Sequence, residues 1–150
     1  MSSDTRRKPF IAAGMVLLAL AAAAWTIDLV AREANNASEY RISIVRDGEI
    51  LRTYDLEALG ELESRSLVMQ GQEQEGPSLL DLLAKAGVDD FTSVTVVGQG
   101  VRDDGVIVLS RDEVDEDVLL DLAVRGTMKL CGPDISWDER VRDVERIEVR

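Results

Sequence analysis

The chain has 150 residues, of which 17 are basic and 29 acidic, so its formal net charge is −12 at pH 7. It contains no histidine and one cysteine, Cys131. This composition excludes Ser-His-Asp and Cys-His nucleophilic sites, intrachain disulfides, Cys-x-x-Cys redox pairs and cysteine zinc cages. The acidity also argues against nucleic acid as a partner, since sequence-independent binding to it needs a basic surface.

An apolar segment near the N-terminus predicts a membrane anchor. No ionisable residue occurs from Pro9 to Ile27, and about 18 helical residues span roughly 27 Å, close to the thickness of a bilayer's hydrocarbon core. We therefore expect a single transmembrane helix over residues 10–31. A basic tail (residues 1–9) precedes it, and a polar linker (residues 32–39) follows it.

The flanking residues predict the orientation of this anchor. Arg6, Arg7 and Lys8 lie directly before the span, and Trp25 falls where an interfacial aromatic side chain belongs. The positive-inside rule places the N-terminus in the cytoplasm and residues 40–150 in the periplasm or outside the cell. A cleaved secretory signal ending at Ala24 is the alternative, but its apolar core is usually only about 7–15 residues long. Both interpretations export the C-terminal domain.

The first half of that domain predicts a hairpin and two helices. Two β-rich runs, Arg41–Arg46 and Glu49–Tyr54, flank Asp47-Gly48, which is a strong hairpin signal. Asp55 can cap a short helix that carries Leu56, Leu59 and Leu62, and Ser66–Gln70 is a further strand. Gly76-Pro77-Ser78 opens a leucine-rich helix, Leu79–Ala86, which Gly87 ends. Because its leucines cover more than one stripe, we expect this helix to be buried.

The second half predicts more strands than helices. Strands are expected at Ser93–Val97 and Val106–Leu109, with a turn at Asp103-Asp104-Gly105 between them. Ser110 and Glu113 form a capping box that predicts a short acidic helix with Val114 and Val118. For Leu119–Val124 we favour a strand over a continuation of that helix. An extended piece, a loop and a closing strand then follow, at Met128–Leu130, Cys131–Asp134 and Arg140–Arg150. The fold class is therefore α+β (mixed α/β), a mixed sheet with short helices.

This order of elements resembles the small molybdopterin-binding oxidoreductase domain of the sulfite-oxidase type. The resemblance covers nearly all of residues 40–150, and its most specific piece is a Gly-x-x-Leu-x-x-Leu-Leu-x-x-Ala-Gly run. The matching residues are Gly76, Leu79, Leu82, Leu83, Ala86 and Gly87. Further support comes from segments Tyr54–Leu62, Val94–Gln99, Gly105–Val114 and Val141–Val149.

The resemblance implies the fold of that family without its metal-binding and pterin-binding residues. In catalytic members a cysteine thiolate in an earlier loop binds molybdenum, and histidine and basic side chains hold the pterin. Cys131 lies too close to the C-terminus to match that cysteine, and the histidines have no counterpart. The resemblance therefore implies a shortened relative with no cofactor, no catalytic residue and no metal ligand.

Other conspicuous residues have simpler interpretations. For Cys131 we favour a small buried or loop residue over a molybdenum ligand or an intermolecular disulfide. For Trp137 we favour core packing over an exposed docking role. Gly98-Gln99-Gly100 lacks the third glycine of a dinucleotide loop. The acidic run Asp112–Asp117 lacks the order of a calcium loop and indicates a solvated surface.

Three functional hypotheses follow. The first is a membrane-anchored extracytoplasmic accessory or binding subunit that docks on a partner membrane or periplasmic protein complex, without enzymatic activity of its own. The second is a molybdopterin-dependent oxidoreductase with Cys131 as the metal ligand. The third is a secreted small-ligand-binding domain, which requires signal cleavage after Ala24. The missing catalytic groups favour the first.

Overall fold

A five-stranded mixed sheet forms the centre of the domain. The computed structural model describes residues 40–100 and 105–150. In chain order the elements are β1 (Arg41–Arg46), β2 (Glu49–Asp55), α1 (Leu56–Gly60), β3 (Ser64–Met69), β4 (Gln72–Pro77), α2 (Leu79–Lys85), β5 (Ser93–Gly100), β6 (Val106–Ser110), β7 (Leu119–Leu122), β8 (Met128–Cys131) and β9 (Val141–Val149). The large sheet has the order β2-β1-β9-β5-β6, and β3–β4 and β7–β8 form two separate hairpins. The predicted mixed α/β class is confirmed.

Several predictions concern residues outside the described part of the chain. They are the basic tail, the anchor over residues 10–31 and the linker, with Arg6, Arg7, Lys8 and Trp25, and part of the predicted turn at Asp103-Asp104. Within residues 40–100 and 105–150, no helix has the length and apolarity needed to cross a membrane.

The core lies on one face of the large sheet, as strand alternation requires. Ile147 of β9 pairs with Ile44 of β1 on one side and with Val96 of β5 on the other. All three are fully buried. The intervening residues, such as Ser43, Thr95 and Arg146, point to the opposite face and remain partly or fully exposed. β1 and β9 pair in parallel, and the other pairs in this sheet are antiparallel.

Helix α2 is buried as its leucine pattern predicts. Leu79, Leu82 and Leu83 have no exposed surface. The Ser78 hydroxyl accepts a hydrogen bond from the Asp81 amide at 3.0 Å, which caps the helix. The Tyr54 hydroxyl donates to the Leu82 carbonyl at 2.9 Å and ties β2 to the same helix.

Strand β4 is an element that the sequence analysis did not predict. Its sequence, QEQEGP, is poor in residues that favour strands. Gln70 and Gly71 both adopt positive φ angles, 48° and 80°, and form a tight turn of the hairpin type. Through this turn, β4 pairs with β3 over its whole length. The predicted strand Ser66–Gln70 corresponds to β3, which starts two residues earlier and ends one residue earlier.

The predicted acidic helix is reduced to a single 3₁₀ turn, Arg111–Glu113. The Ser110 amide donates to the Glu113 carboxylate at 2.7 Å, which is the half of a capping box that Glu113 supplies, and the Ser110 hydroxyl donates to the same carboxylate at 2.8 Å. Val114 and Val118 are buried but not helical. The turn ends at Val114, whose backbone is extended (φ −97°, ψ 96°). Leu119 then begins β7, which pairs with β8, as favoured from the sequence.

Candidate functional site

Cys131 is the last residue of a strand, and the prediction of a loop from Cys131 was wrong. It pairs with Leu119 across the β7–β8 hairpin, and its exposed fraction is 0%. The sequence signal for a loop was Gly132-Pro133, which ends the strand directly after Cys131. The expectation of a small buried residue is confirmed.

The Cys131 thiol faces polar atoms of the protein interior. Its Sγ lies 3.7 Å from Gln74 Oε1 and 3.9 Å from the Lys129 carbonyl oxygen. Burial raises the pKa of the Cys131 thiol above its ordinary value, and the positive charges of Arg140 and Lys129 oppose this only in part. The burial that raises this pKa disfavours the thiolate, which is the form of cysteine that attacks as a nucleophile.

A buried arginine lies in the same region. Arg140 is 2% exposed, and its Nη2 donates to Met69 Sδ at 3.7 Å. Its guanidinium carbon lies 3.3 Å from the centroid of the Trp137 ring, a cation–π contact. Among the described residues its Nε has no hydrogen-bond partner, and burial lowers the pKa of Arg140. We call Cys131, Gln74, Met69, Trp137 and Arg140 the thiol–guanidinium cluster.

Trp137 is not a core residue, which corrects the expectation from the sequence. Its side chain is only partly buried, and Arg140 covers one face of the ring. Ile135 takes the buried position in this loop instead. The loop turns at Ser136, whose hydroxyl donates to the Glu139 carboxylate at 2.8 Å, and this turn leaves the indole ring at the surface.

The cluster does not fit a molybdopterin. Binding the metal needs a thiolate that opens to a cavity, and holding the pterin phosphate needs convergent cationic or amide donors. The Cys131 thiol has no exposed surface, and the Arg140 guanidinium is in contact with Trp137 and Met69. Within residues 40–100 and 105–150, no three His, Cys, Asp or Glu side chains are placed to share a metal ion. The acidic residues at 112, 113, 115, 116 and 117 are exposed.

A groove runs between β6 and the loop that leads into β9. It is lined by Gly100, by Gly105 and the first residues of β6 (Val106–Val108), and by Asp138–Val141. β6 forms one border of the large sheet, and in the described chain it pairs with β5 alone. We call the exposed side of β6 together with this groove the β6 edge.

Sequence reasoning missed most of these residues for an identifiable reason. Arg140 was assigned to the closing strand, and nothing in its neighbourhood distinguishes it from Arg142, which is exposed. Only the packing of Trp137 and Met69 against its guanidinium makes it a buried cation. Val106–Ser110 does carry a visible signal, since it is a strand without a charged residue.

Comparisons with known proteins support the fold. No protein-family model matches the chain, and no curated protein matches it. The crystal structure of the sulfane dehydrogenase SoxCD from Paracoccus pantotrophus is similar, with a TM-score of 0.59 at 17% sequence identity. The match covers 75% of this chain and 38% of that chain. The similarity shows a distant relationship in fold, in agreement with the resemblance to the sulfite-oxidase type.

Proposed function

We propose that this protein is a membrane-anchored, extracytoplasmic accessory subunit that binds a partner protein through a molybdopterin-domain-like fold and carries no cofactor itself. The observation that supports this most strongly is the thiol–guanidinium cluster. The single cysteine of the chain is buried beside Gln74, and the nearby arginine is buried against Trp137. A domain that has this fold but no reactive thiol still presents a surface to which a partner protein can bind.

The charge of the chain supports the same proposal. A net charge of −12 repels an anionic pterin phosphate unless basic groups cluster locally. Arg140, Arg142 and Arg146 follow one another near the C-terminus, but Glu139, Asp143 and Glu145 alternate with them. Arg146 is further paired with Glu148 at 2.8 Å. An acidic surface of this kind favours a basic or polar partner.

The cofactor-free part of the proposal is tested by elemental analysis. The full chain, produced with an affinity tag in a host that makes molybdopterin and purified in mild detergent, is expected to contain no molybdenum and to retain a partner protein in stoichiometric amount. Cys131→Ser is expected to leave both results unchanged, because the thiol contacts only protein atoms. Near-stoichiometric molybdenum that disappears in Cys131→Ser would establish the oxidoreductase alternative instead.

The anchored topology is tested by a reporter fused after Arg150. An enzyme that is active only outside the cytoplasm is expected to be active in this fusion, because Arg6, Arg7 and Lys8 hold the N-terminus inside. Replacing all three with Glu is expected to reduce or scramble insertion. Mass spectrometry of the purified chain is expected to find the intact N-terminus; a mature chain that begins at Trp25 would support the secreted alternative. Reporter activity confined to the cytoplasm would contradict the localisation.

A further inference from the structure

Within the described part of the chain, the edge strand β6 carries none of three features that commonly protect a sheet border: a charged side chain, a proline or a bulge. Exposed edges are usually blunted by charged side chains, proline or a bulge, because their unpaired backbone groups recruit other strands. Val106–Ser110 contains no charged residue and no proline. Its register with β5 runs without a bulge from Ser93 opposite Ser110 to Val97 opposite Val106. Val106 and Val108 are 44% and 63% exposed.

The opposite border of the same sheet shows the contrast. Strand β2 also exposes two apolar residues, Ile50 to 65% and Leu51 to 42%. However, β2 carries Glu49, Arg52 and Asp55, and a bulge interrupts its pairing with β1 between Ile44 and Val45. Arg52 also donates to the Lys85 carbonyl at 2.7 Å, which links this border to the end of α2. Among the described residues, β2 therefore carries charged side chains and a bulge that β6 does not.

Acidic side chains flank β6 at both ends. Asp138 and Glu139 line the groove beside its first residues, and Asp112 and Glu113 are exposed directly after its last residue. Hydrogen bonds from Ser110 lower the pKa of Glu113 and keep it charged. The basic residue Arg111 lies between Ser110 and Asp112. Its guanidinium is held elsewhere, because it covers the Phe91 ring and donates to the Val114 carbonyl.

We propose that β6 is the site at which this protein binds its partner, by adding to its sheet an extended partner segment with alternating apolar residues and Lys or Arg at both ends. The proposal rests on the accessory function proposed above and names the surface that serves it. Backbone hydrogen bonds supply affinity in strand addition, and alternate side chains supply specificity. Val106 and Val108 offer the apolar contacts, and the two acidic ends select basic flanks.

The same charges disfavour a second copy of this chain as the occupant. An antiparallel pairing of two β6 strands brings the Asp138–Glu139 end of one copy against the Asp112–Glu113 end of the other. Like charges placed opposite each other across an interface oppose association. A segment with basic residues at both of its ends is instead attracted by the acidic side chains at both ends of β6.

A labelled synthetic peptide tests this directly. The probe is a five-residue Val/Thr alternating core with two lysines at each end, titrated with the full chain in mild detergent and followed by fluorescence anisotropy. We expect saturable binding that weakens at least tenfold when sodium chloride is raised from about 50 to 500 mM, since screening removes the charge attraction. The same core with glutamate ends, and a version with alternate backbone amides methylated, are expected not to bind.

Matched variants locate the site. Val106→Lys with Val108→Lys is expected to weaken peptide binding at least tenfold, while Ile50→Lys on the other border leaves it unchanged. Both variants alter exposed residues, so circular dichroism should show an unchanged fold. Equal binding of the glutamate-flanked peptide, or an equal loss in Ile50→Lys, would overturn the proposal. So would a dimer of the full chain that Val108→Cys locks by an intermolecular disulfide, which would identify a second copy as the occupant.

The outcome separates this proposal from the accessory function. If the wild-type chain retains its partner in mild detergent and the double lysine variant loses it, the β6 edge is the binding surface. If the double variant keeps the partner, the β6 edge is not the site, although the accessory function stands. Purified wild-type chain that carries molybdenum and no partner would overturn the accessory function itself.

Discussion

Replacing Leu82 or Leu83 with alanine is expected to lower the free energy of unfolding by about 2–5 kcal/mol. Both side chains are fully buried in the hydrophobic core. Truncation removes their apolar contacts and leaves a cavity, because the surrounding strands can close only in part. A loss of this size is a large fraction of the total stability of a domain, which is typically about 5–15 kcal/mol.

The matched control is Asp115→Ala on the surface. The Asp115 side chain is exposed, and its Oδ1 accepts a hydrogen bond from the Asp117 amide at 2.9 Å. Its removal is expected to change stability by about 0.5 kcal/mol or less. Urea unfolding of the full chain in mild detergent, followed by circular dichroism, measures both changes. Equal effects at positions 82 and 115 would contradict the burial of α2.

Gly76→Ala is expected to destabilise the domain by about 3 kcal/mol, at the upper end of the usual cost of overpacking. Gly76 lies in β4, where a Cβ atom would overlap the backbone carbonyl of Leu120 in β7. Relief requires the two strands to separate, because a backbone group cannot rotate away as a side chain can. The glycine is needed for this close approach, since its φ angle is not among the positive ones.

Gly60→Ala is the control for this substitution. Gly60 ends helix α1, and an added Cβ would meet nothing within 4 Å there. Its replacement is expected to leave stability within about 0.5 kcal/mol or to raise it slightly, because alanine has less freedom to lose on folding. The same urea titration compares the two variants. A Gly76→Ala protein as stable as Gly60→Ala would show that β4 and β7 do not pack as closely as described.

Local patterns in the sequence were sufficient for the elements that depend on nearby residues. Asp47-Gly48 specifies the β1–β2 hairpin because both residues adopt the positive φ angles that its tight turn requires. The leucine spacing and Ser78 specify α2, since apolar periodicity and a capping side chain act within one turn. The charge and the missing histidine likewise excluded whole classes of function from composition alone.

Elements whose stability comes from distant partners could not be predicted in the same way. The segment QEQEGP has little strand preference, and it becomes β4 because β3 and β7 lie beside it. The acidic segment after Ser110 carries a capping box, yet it forms only a single 3₁₀ turn before the backbone becomes extended at Val114. For β4, tertiary contacts outweigh local propensity.

The sequence by itself determined the mixed fold class, the buried leucine helix and the acidic character of the surface, because these follow from periodicity and composition. Only the tertiary structure decided that Cys131 ends a strand and lies beside Gln74, that Arg140 contacts Trp137 and Met69, and that β6 forms a border of the large sheet. Burial and strand order depend on contacts between residues far apart in the chain, such as the pairing of β9 with both β1 and β5. No local pattern contains that information.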